Sequence, residues 1–189
     1  MSHCALTAYL HSNQIEVTAV KASLIGWAIL MLGVPLVGWA SASEPLNLSN
    51  APVLLTVSGN IALENAGHEV QLDLATLEAL PQYEFATNTP WTAEVNHYRG
   101  PLMRDLLSHL NADTDTVHVA ALDGYEADIP VSDFEKYEVI LALTKDGAAI
   151  PVRELGPLWI LYPFDQDDAL LSEKMRFRSV WQVMHINVR

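Results

Sequence analysis

The chain has 189 residues, of which 23 are Asp or Glu and ten are Lys or Arg, so its formal net charge is −13 at pH 7. Nucleic acids and anionic lipids are bound by clustered positive charge, and this composition argues against both as partners. The one cysteine is Cys4. Removal of the first residues would leave no thiol for a disulfide or for a metal site.

The first 42 residues are predicted to be an N-terminal extension and secretory signal. Residues 22–42 form an uncharged apolar run that follows Lys21 and ends in Ala40-Ser41-Ala42, which is the pattern of a cleaved signal peptide. A retained membrane anchor is the alternative, because the run is long enough to span a bilayer. Residues 1–19 do not fit the signal, and we interpret them as preceding an alternative start at Val20. We expect residues 43–189 to be one domain in the periplasm.

The predicted elements of residues 43–189 mix strands and helices without a regular period. The first are strands at 53–61 and 68–74 around Asn65-Ala66-Gly67, followed by a helix that is capped by Asp73, has Leu74, Leu77 and Leu80 on one face and stops at Pro81. A strand at 83–89 and a helix at 101–110 come next, the helix with Leu102, Leu106 and Leu110 at four-residue spacing. Strands at 116–122 and 125–131 are joined across Asp123-Gly124, and a short helix from Ser132 precedes strands at 139–144, 158–164 and 182–188. Strands outnumber helices and do not alternate with them, which predicts an α+β fold.

No general catalytic motif accompanies these elements. The sequence has no GxSxG turn, no glycine-rich phosphate loop and no HExxH spacing, so neither a hydrolase nor a nucleotide site is indicated. The five histidines after residue 42 fall in five separate elements, and we interpret them as surface or hydrogen-bonded residues. We therefore predict no catalytic residue and no metal ligand.

Four segments follow one another in a characteristic order. They are Tyr98-Arg99-Gly100-Pro101-Leu102 before a helix, the hairpin LDGYEADIPVSD, Gly156-Pro157-Leu158 on a strand, and Arg178-Ser179-Val180-Trp181 near the end. In this order they resemble the molybdopterin-binding domain of sulfite-oxidase type, over residues 53–188. The resemblance implies a sulfite-oxidase-like fold of mixed strands with a few short helices.

The loop that carries the molybdenum-ligating cysteine in that family corresponds to residues 86–91, which contain no sulfur. Thr or Asn does not replace a thiolate in kind. The chain is therefore similar to the small periplasmic pterin-binding regulators of the PruR type, which act on a membrane-bound cyclic-di-GMP enzyme. This resemblance implies a non-catalytic pterin sensor. The alternatives are a molybdopterin-dependent oxidoreductase or its subunit, and a scaffold that binds only protein.

A pterin has a flat ring face and an edge with two adjacent donors, so aromatic rings and a carboxylate are expected around it. The predicted site consists of Thr89, Trp91, Tyr162, Phe164, Asp165, Arg178, Ser179 and Trp181. In this site the rings stack, Asp165 accepts from the donor edge, and Arg178 with Ser179 reaches a carbonyl oxygen or a hydroxylated side chain. Simpler interpretations are core packing for the strand aromatics, a solvated turn for Asp165 and a surface ion pair for Arg178.

The low content of basic residues favours a neutral pterin, of the biopterin or neopterin type, over the molybdenum cofactor. Molybdopterin carries a phosphate, which calls for clustered Arg or Lys. Convergence of Arg153, Arg176 and Arg178 in space would favour the phosphorylated cofactor instead. The expected partners are the small-molecule pterin and a membrane-bound sensor protein.

Overall fold

Eleven β-strands and four α-helices make up most of residues 51–63 and 68–189, the part of the chain that this computed structural model describes. The strands are β1 Leu55–Gly59, β2 Glu69–Leu72, β3 Gln82–Thr87, β4 Asn96–Pro101, β5 Thr116–Ala121, β6 Glu126–Pro130, β7 Ile140–Ala142, β8 Thr144–Lys145, β9 Ala148–Ala149, β10 Trp159–Leu161 and β11 Val183–Val188. The helices are α1 Leu74–Ala79, α2 Met103–His109, α3 Val131–Lys136 and α4 Glu173–Arg178, with 3₁₀ turns at Val152–Glu154 and Asp168–Leu171.

Three sheets form from these strands. The largest has the order β2-β1-β11-β5-β6, the second has the order β3-β4-β8-β9, and β10 pairs with β7 in the third. Strand β1 is parallel to β11, while its other neighbour, β2, is antiparallel. The strands closest to the two ends of the described chain therefore lie side by side. The mixture of sheets and short helices confirms the predicted α+β class.

The hairpin of β5 and β6 closes where the sequence predicts it. Gly124 has a φ of +86°, a left-handed conformation that glycine adopts without strain. Its N–H donates to the carbonyl oxygen of Ala121 at 3.1 Å. This turn places the next residue, Tyr125, beside α4.

Helix α1 begins as predicted but buries a narrower face. The Asp73 carboxylate accepts the N–H of Thr76 at 2.8 Å, which is an N-cap bond, and Leu77 is fully buried. The prediction of one apolar face is wrong for Leu74, which is 41% exposed. The helix has only six residues and ends before Leu80, so Leu77 is the one residue within it that is buried.

Strand β4 was not predicted, and it shortens the following helix. Pro101 ends β4 and α2 begins at Met103, whereas the sequence predicts a helix from residue 101. The polar sequence NHYRGP forms a strand because it pairs with β3 on one side and β8 on the other. A Cβ at Gly100 would lie 1.9 Å from the carbonyl oxygen of Leu141, so only glycine permits β4 to lie this close to β7.

The predicted burial of α2 is confirmed, while α4 is a further element that the sequence did not indicate. Leu106 is 1% exposed and Leu110 is fully buried, as four-residue spacing predicts. Helix α4 has the sequence EKMRFR, in which only Met175 is buried. Five exposed or half-buried side chains out of six leave no apolar periodicity to detect.

Three predictions lie outside the described residues. These are the extension before an alternative start at Val20, the secretory signal at residues 22–42, and the turn at Asn65-Ala66-Gly67. Within residues 51–63 and 68–189, no helix has the length and apolar character needed to cross a membrane.

Candidate functional site

Residues 88–95 form a loop between β3 and β4, and Thr89 holds its turn together. The Thr89 side chain is buried, and its hydroxyl lies 2.8 Å from the hydroxyl of Thr92. The same oxygen accepts the backbone N–H groups of Trp91 and Thr92 at 3.3 and 3.1 Å. Thr89 thus fixes the backbone from which the Trp91 side chain projects.

Asp165 attaches the start of this loop to the turn after β10. Its Oδ2 accepts the N–H of Asn88 at 2.6 Å, and its own N–H donates to Thr87 Oγ1 at 3.2 Å. The carboxylate is on an exposed residue, yet one of its oxygens already has a backbone donor. Asp165 therefore links the two loops through hydrogen bonds.

The Trp91 ring lies at the centre of an aromatic cluster. Its centroid is 5.7 Å from that of Trp159, 5.7 Å from Phe164 and 5.2 Å from Trp181, with interplanar angles of 63°, 77° and 78°. These are edge-to-face contacts, each worth about 0.5–1.5 kcal/mol beyond area burial. Trp159 and Phe164 are each 1% exposed. Trp91 consequently rests on the core with one side while its other side remains open.

A pocket of about 330 Å³ opens beside Trp91. This volume is at the lower end of the roughly 300–1,000 Å³ typical of small-molecule sites. The pocket is lined by Trp91, Tyr125, Glu173, Arg176, Phe177, Ser179, Val180 and Trp181. Four of these eight residues are aromatic, so the walls suit a flat ring system. We call this site the Trp91 pocket.

Tyr125 joins the β5–β6 hairpin to α4 at the edge of this pocket. Its hydroxyl donates to the carbonyl oxygen of Phe177 at 2.8 Å. Burial raises the pKa of Tyr125, so the hydroxyl is protonated and remains a donor at neutral pH. The bond keeps the hairpin turn and α4 together, and with them two walls of the Trp91 pocket.

Ser179, Arg176 and Glu173 line the Trp91 pocket, and they differ in how many hydrogen-bonding groups remain free for a ligand. The Ser179 hydroxyl accepts from Trp159 Nε1 at 3.0 Å and donates to the carbonyl oxygen of Ile160 at 2.9 Å. Arg176 donates from Nε to the carbonyl oxygen of Leu171 at 3.1 Å. Ser179 has used its only donor, whereas the other guanidinium donors of Arg176 and the carboxylate of Glu173 remain for a ligand.

Arg178 points away from this pocket into a buried ion pair. Its Nη1 lies 2.7 Å from Asp133 Oδ2 on α3, and the Tyr162 hydroxyl donates to the same oxygen at 3.0 Å. Burial and the negative charge of Asp133 raise the pKa of Tyr162, so the hydroxyl stays protonated. The Arg178 and Asp133 side chains are 17% and 12% exposed. This triad fixes the end of α4 against α3.

The structure thus separates the eight predicted site residues into groups. Trp91, Ser179 and Trp181 line the Trp91 pocket, and Phe164 packs behind Trp91. Thr89 and Asp165 hold the loop, while Tyr162 and Arg178 belong to the ion-paired triad. The lining residues outside the predicted site are Tyr125, Glu173, Arg176, Phe177 and Val180, of which only Arg176 was considered, as part of a possible phosphate site. No local sequence signal identifies these residues, because α4 has one buried side chain and Tyr125 meets it only in the folded chain.

The family model of the oxidoreductase molybdopterin-binding domain matches residues 45–164, more than half of the chain. The chain therefore belongs to this family, whose members bind a molybdopterin-type cofactor. The match confirms the resemblance to the sulfite-oxidase-type domain. A search of curated proteins gives no match.

The residues present fit the pterin portion of such a cofactor but not its metal. In the loop that corresponds to the cysteine loop, the hydroxyl of Thr89 is committed to internal hydrogen bonds, and a hydroxyl is no substitute for a thiolate. Cys4 lies outside the described residues. Among residues 51–63 and 68–189, no three His, Cys, Asp or Glu side chains are grouped as metal ligands. This loop supplies no protein ligand of the required kind to molybdenum.

Proposed function

We propose that this protein is a non-catalytic binder of a neutral pterin. The observation that supports this is the Trp91 pocket itself, whose volume of about 330 Å³ and aromatic walls suit one bicyclic ring. Offset or edge-to-face contacts with Trp91 and Trp181 provide the main attraction for such a ring. The lack of a thiolate in the adjoining loop argues for binding rather than for molybdenum-dependent oxidation.

The distribution of basic side chains supports a pterin of the biopterin or neopterin type. Helix α4 carries Lys174, Arg176 and Arg178, but only Arg176 lines the Trp91 pocket. Arg178 is paired with Asp133, and Arg153 pairs with Glu154 at 3.4 Å. A phosphate or nucleotide group is usually held by several convergent cations. One available guanidinium suits a carbonyl oxygen or a hydroxylated side chain better.

The role that fits a binder without chemistry of its own is that of a sensor. We propose that the pterin-bound protein acts on a membrane-bound signalling enzyme of the cyclic-di-GMP type, in the periplasm. The uncharged run at residues 22–42 supports export. The exported protein should begin at Ser43, which N-terminal sequencing of periplasmic material would determine. Recovery of Met1, or of a product embedded in the membrane, would contradict export with cleavage.

The pterin proposal is tested on the protein purified from an exporting host. After extraction, we expect about one blue-fluorescent pterin per chain, and elemental analysis by mass spectrometry should find no stoichiometric molybdenum. One molybdenum per chain would instead support the molybdopterin-dependent oxidoreductase. If neither is found and added biopterin does not bind, the pocket is not a pterin site and a protein-binding scaffold becomes the better explanation.

A further inference from the structure

Glu173 is the one carboxylate among the eight residues that line the Trp91 pocket. It is the first residue of α4, where an acidic side chain stabilises the helix through the helix dipole. Helix stability alone does not account for its position, however, because the same residue borders an aromatic pocket. Within the part of the chain that the structure describes, its carboxylate makes no hydrogen bond and no ion pair. Both carboxylate oxygens are therefore available.

Two adjacent carboxylate oxygens match a particular edge of a bicyclic heterocycle. The 2-amino-4-oxo ring of a pterin presents its amino group and the N3–H side by side, and a carboxylate accepts both in a bidentate manner. In a 2,4-dioxo ring, as in lumazines and flavins, a carbonyl oxygen replaces the amino group. That oxygen would face the negative carboxylate, so one hydrogen bond is lost and a repulsion is added.

We propose that Glu173 determines the class of heterocycle that the Trp91 pocket accepts, by binding the 2-amino-4-oxo edge of pterins and rejecting 2,4-dioxo rings. This inference rests on the proposed function, since it names the chemical feature by which the same pocket recognises its ligand. Arg176 lies on the same helix three residues further on and has guanidinium donors left for the 4-oxo oxygen. The aromatic residues bind any flat ring, whereas Glu173 distinguishes between rings.

The test compares two ligands that differ only at position 2. The full chain is titrated by calorimetry with biopterin and with the 2,4-dioxo lumazine that carries the same side chain at C6. The wild type should bind biopterin about 10–100-fold more tightly, which is the effect of one hydrogen bond to a charged group. In Glu173→Gln the amide offers one acceptor and one donor, which suit the lumazine edge. The preference should fall to about threefold or less, or reverse.

Glu135→Gln is the matched control, because Glu135 lies on α3 and borders a different surface depression. It removes the same charge and should leave the preference unchanged. Circular dichroism and the thermal midpoint verify that both variants are folded. Biopterin binding with no preference over lumazine in the wild type, or with an undiminished preference in Glu173→Gln, would overturn the role of Glu173 while leaving pterin binding intact. Failure of the wild type to bind either compound would instead refute the pterin proposal.

Discussion

Asp133→Ala should lower the free energy of unfolding by about 3–5 kcal/mol. The substitution removes the carboxylate to which both Arg178 and Tyr162 donate. It leaves a guanidinium that is only 17% exposed without its counterion, and the fully buried Tyr162 hydroxyl without its acceptor. Uncompensated buried polar groups are costly because water cannot replace the lost partner. Urea denaturation followed by circular dichroism measures the change.

Asp128→Ala is the control for loss of an acidic ion-pair partner. Asp128 lies 2.8 Å from His118, but its side chain is 61% exposed, so its removal should cost less than about 1 kcal/mol. The double variant Asp133→Ala, Arg178→Leu should be more stable than Asp133→Ala alone, since it removes the stranded charge. A loss below about 1 kcal/mol for Asp133→Ala would show that solvent reaches Arg178 and that the triad does not hold α4.

The triad also matters for ligand binding because α4 forms a wall of the Trp91 pocket. Arg178 is tied to α3, and the next residue, Ser179, is tied to β10 through Trp159 and Ile160. The backbone carbonyl oxygen of Phe177 accepts from the hydroxyl of Tyr125 on the β5–β6 hairpin. A ligand in the pocket therefore meets a wall whose position is fixed from several elements, which reduces the entropic cost of binding.

Features that depend on neighbouring residues could be predicted from the sequence. The turn at Asp123-Gly124, the cap at Asp73 and the burial of Leu106 all follow from short-range backbone and side-chain preferences, and all three are present. The α+β class was predicted from the number and order of strands and helices, and the family from the order of four segments. For these features the sequence pattern and the tertiary structure favour the same local conformation.

Features that depend on distant pairing could not be predicted in the same way. Strand β4 forms because it pairs with β3 and β8. Helix α4 has only one buried side chain, so its sequence shows no apolar periodicity that would predict a helix. Asn88, which donates to Asp165, is 77 residues away in the chain, so no local sequence pattern predicts this hydrogen bond. Asp165 remains a predicted pterin ligand with one oxygen already engaged, and the carboxylate that lines the pocket is Glu173.

Trp91 was predicted to bind the ligand because a large ring in a polar loop is unusual. Its removal should affect both stability and binding, since it packs on three aromatic rings and lines the pocket. Trp91→Ala deletes three edge-to-face contacts, of about 0.5–1.5 kcal/mol each, and should lower the free energy of unfolding by about 2–4 kcal/mol. It also deletes one wall of the pocket. The free energy of biopterin binding should therefore become about 1–3 kcal/mol less favourable, an affinity about 5–150-fold lower, because stacking and burial are lost.

Trp91→Phe separates these two effects. A smaller ring at the same position keeps a π face toward the ligand, so its affinity for biopterin should lie between those of the wild type and Trp91→Ala. Urea denaturation gives the stability of each variant, and calorimetric titration with biopterin gives its affinity under conditions where it is fully folded. If folded Trp91→Ala binds biopterin as tightly as the wild type, then Trp91 packs against Trp159 and Phe164 without touching the ligand. The pterin ring would in that case be held by Trp181 and Tyr125, which also line the pocket.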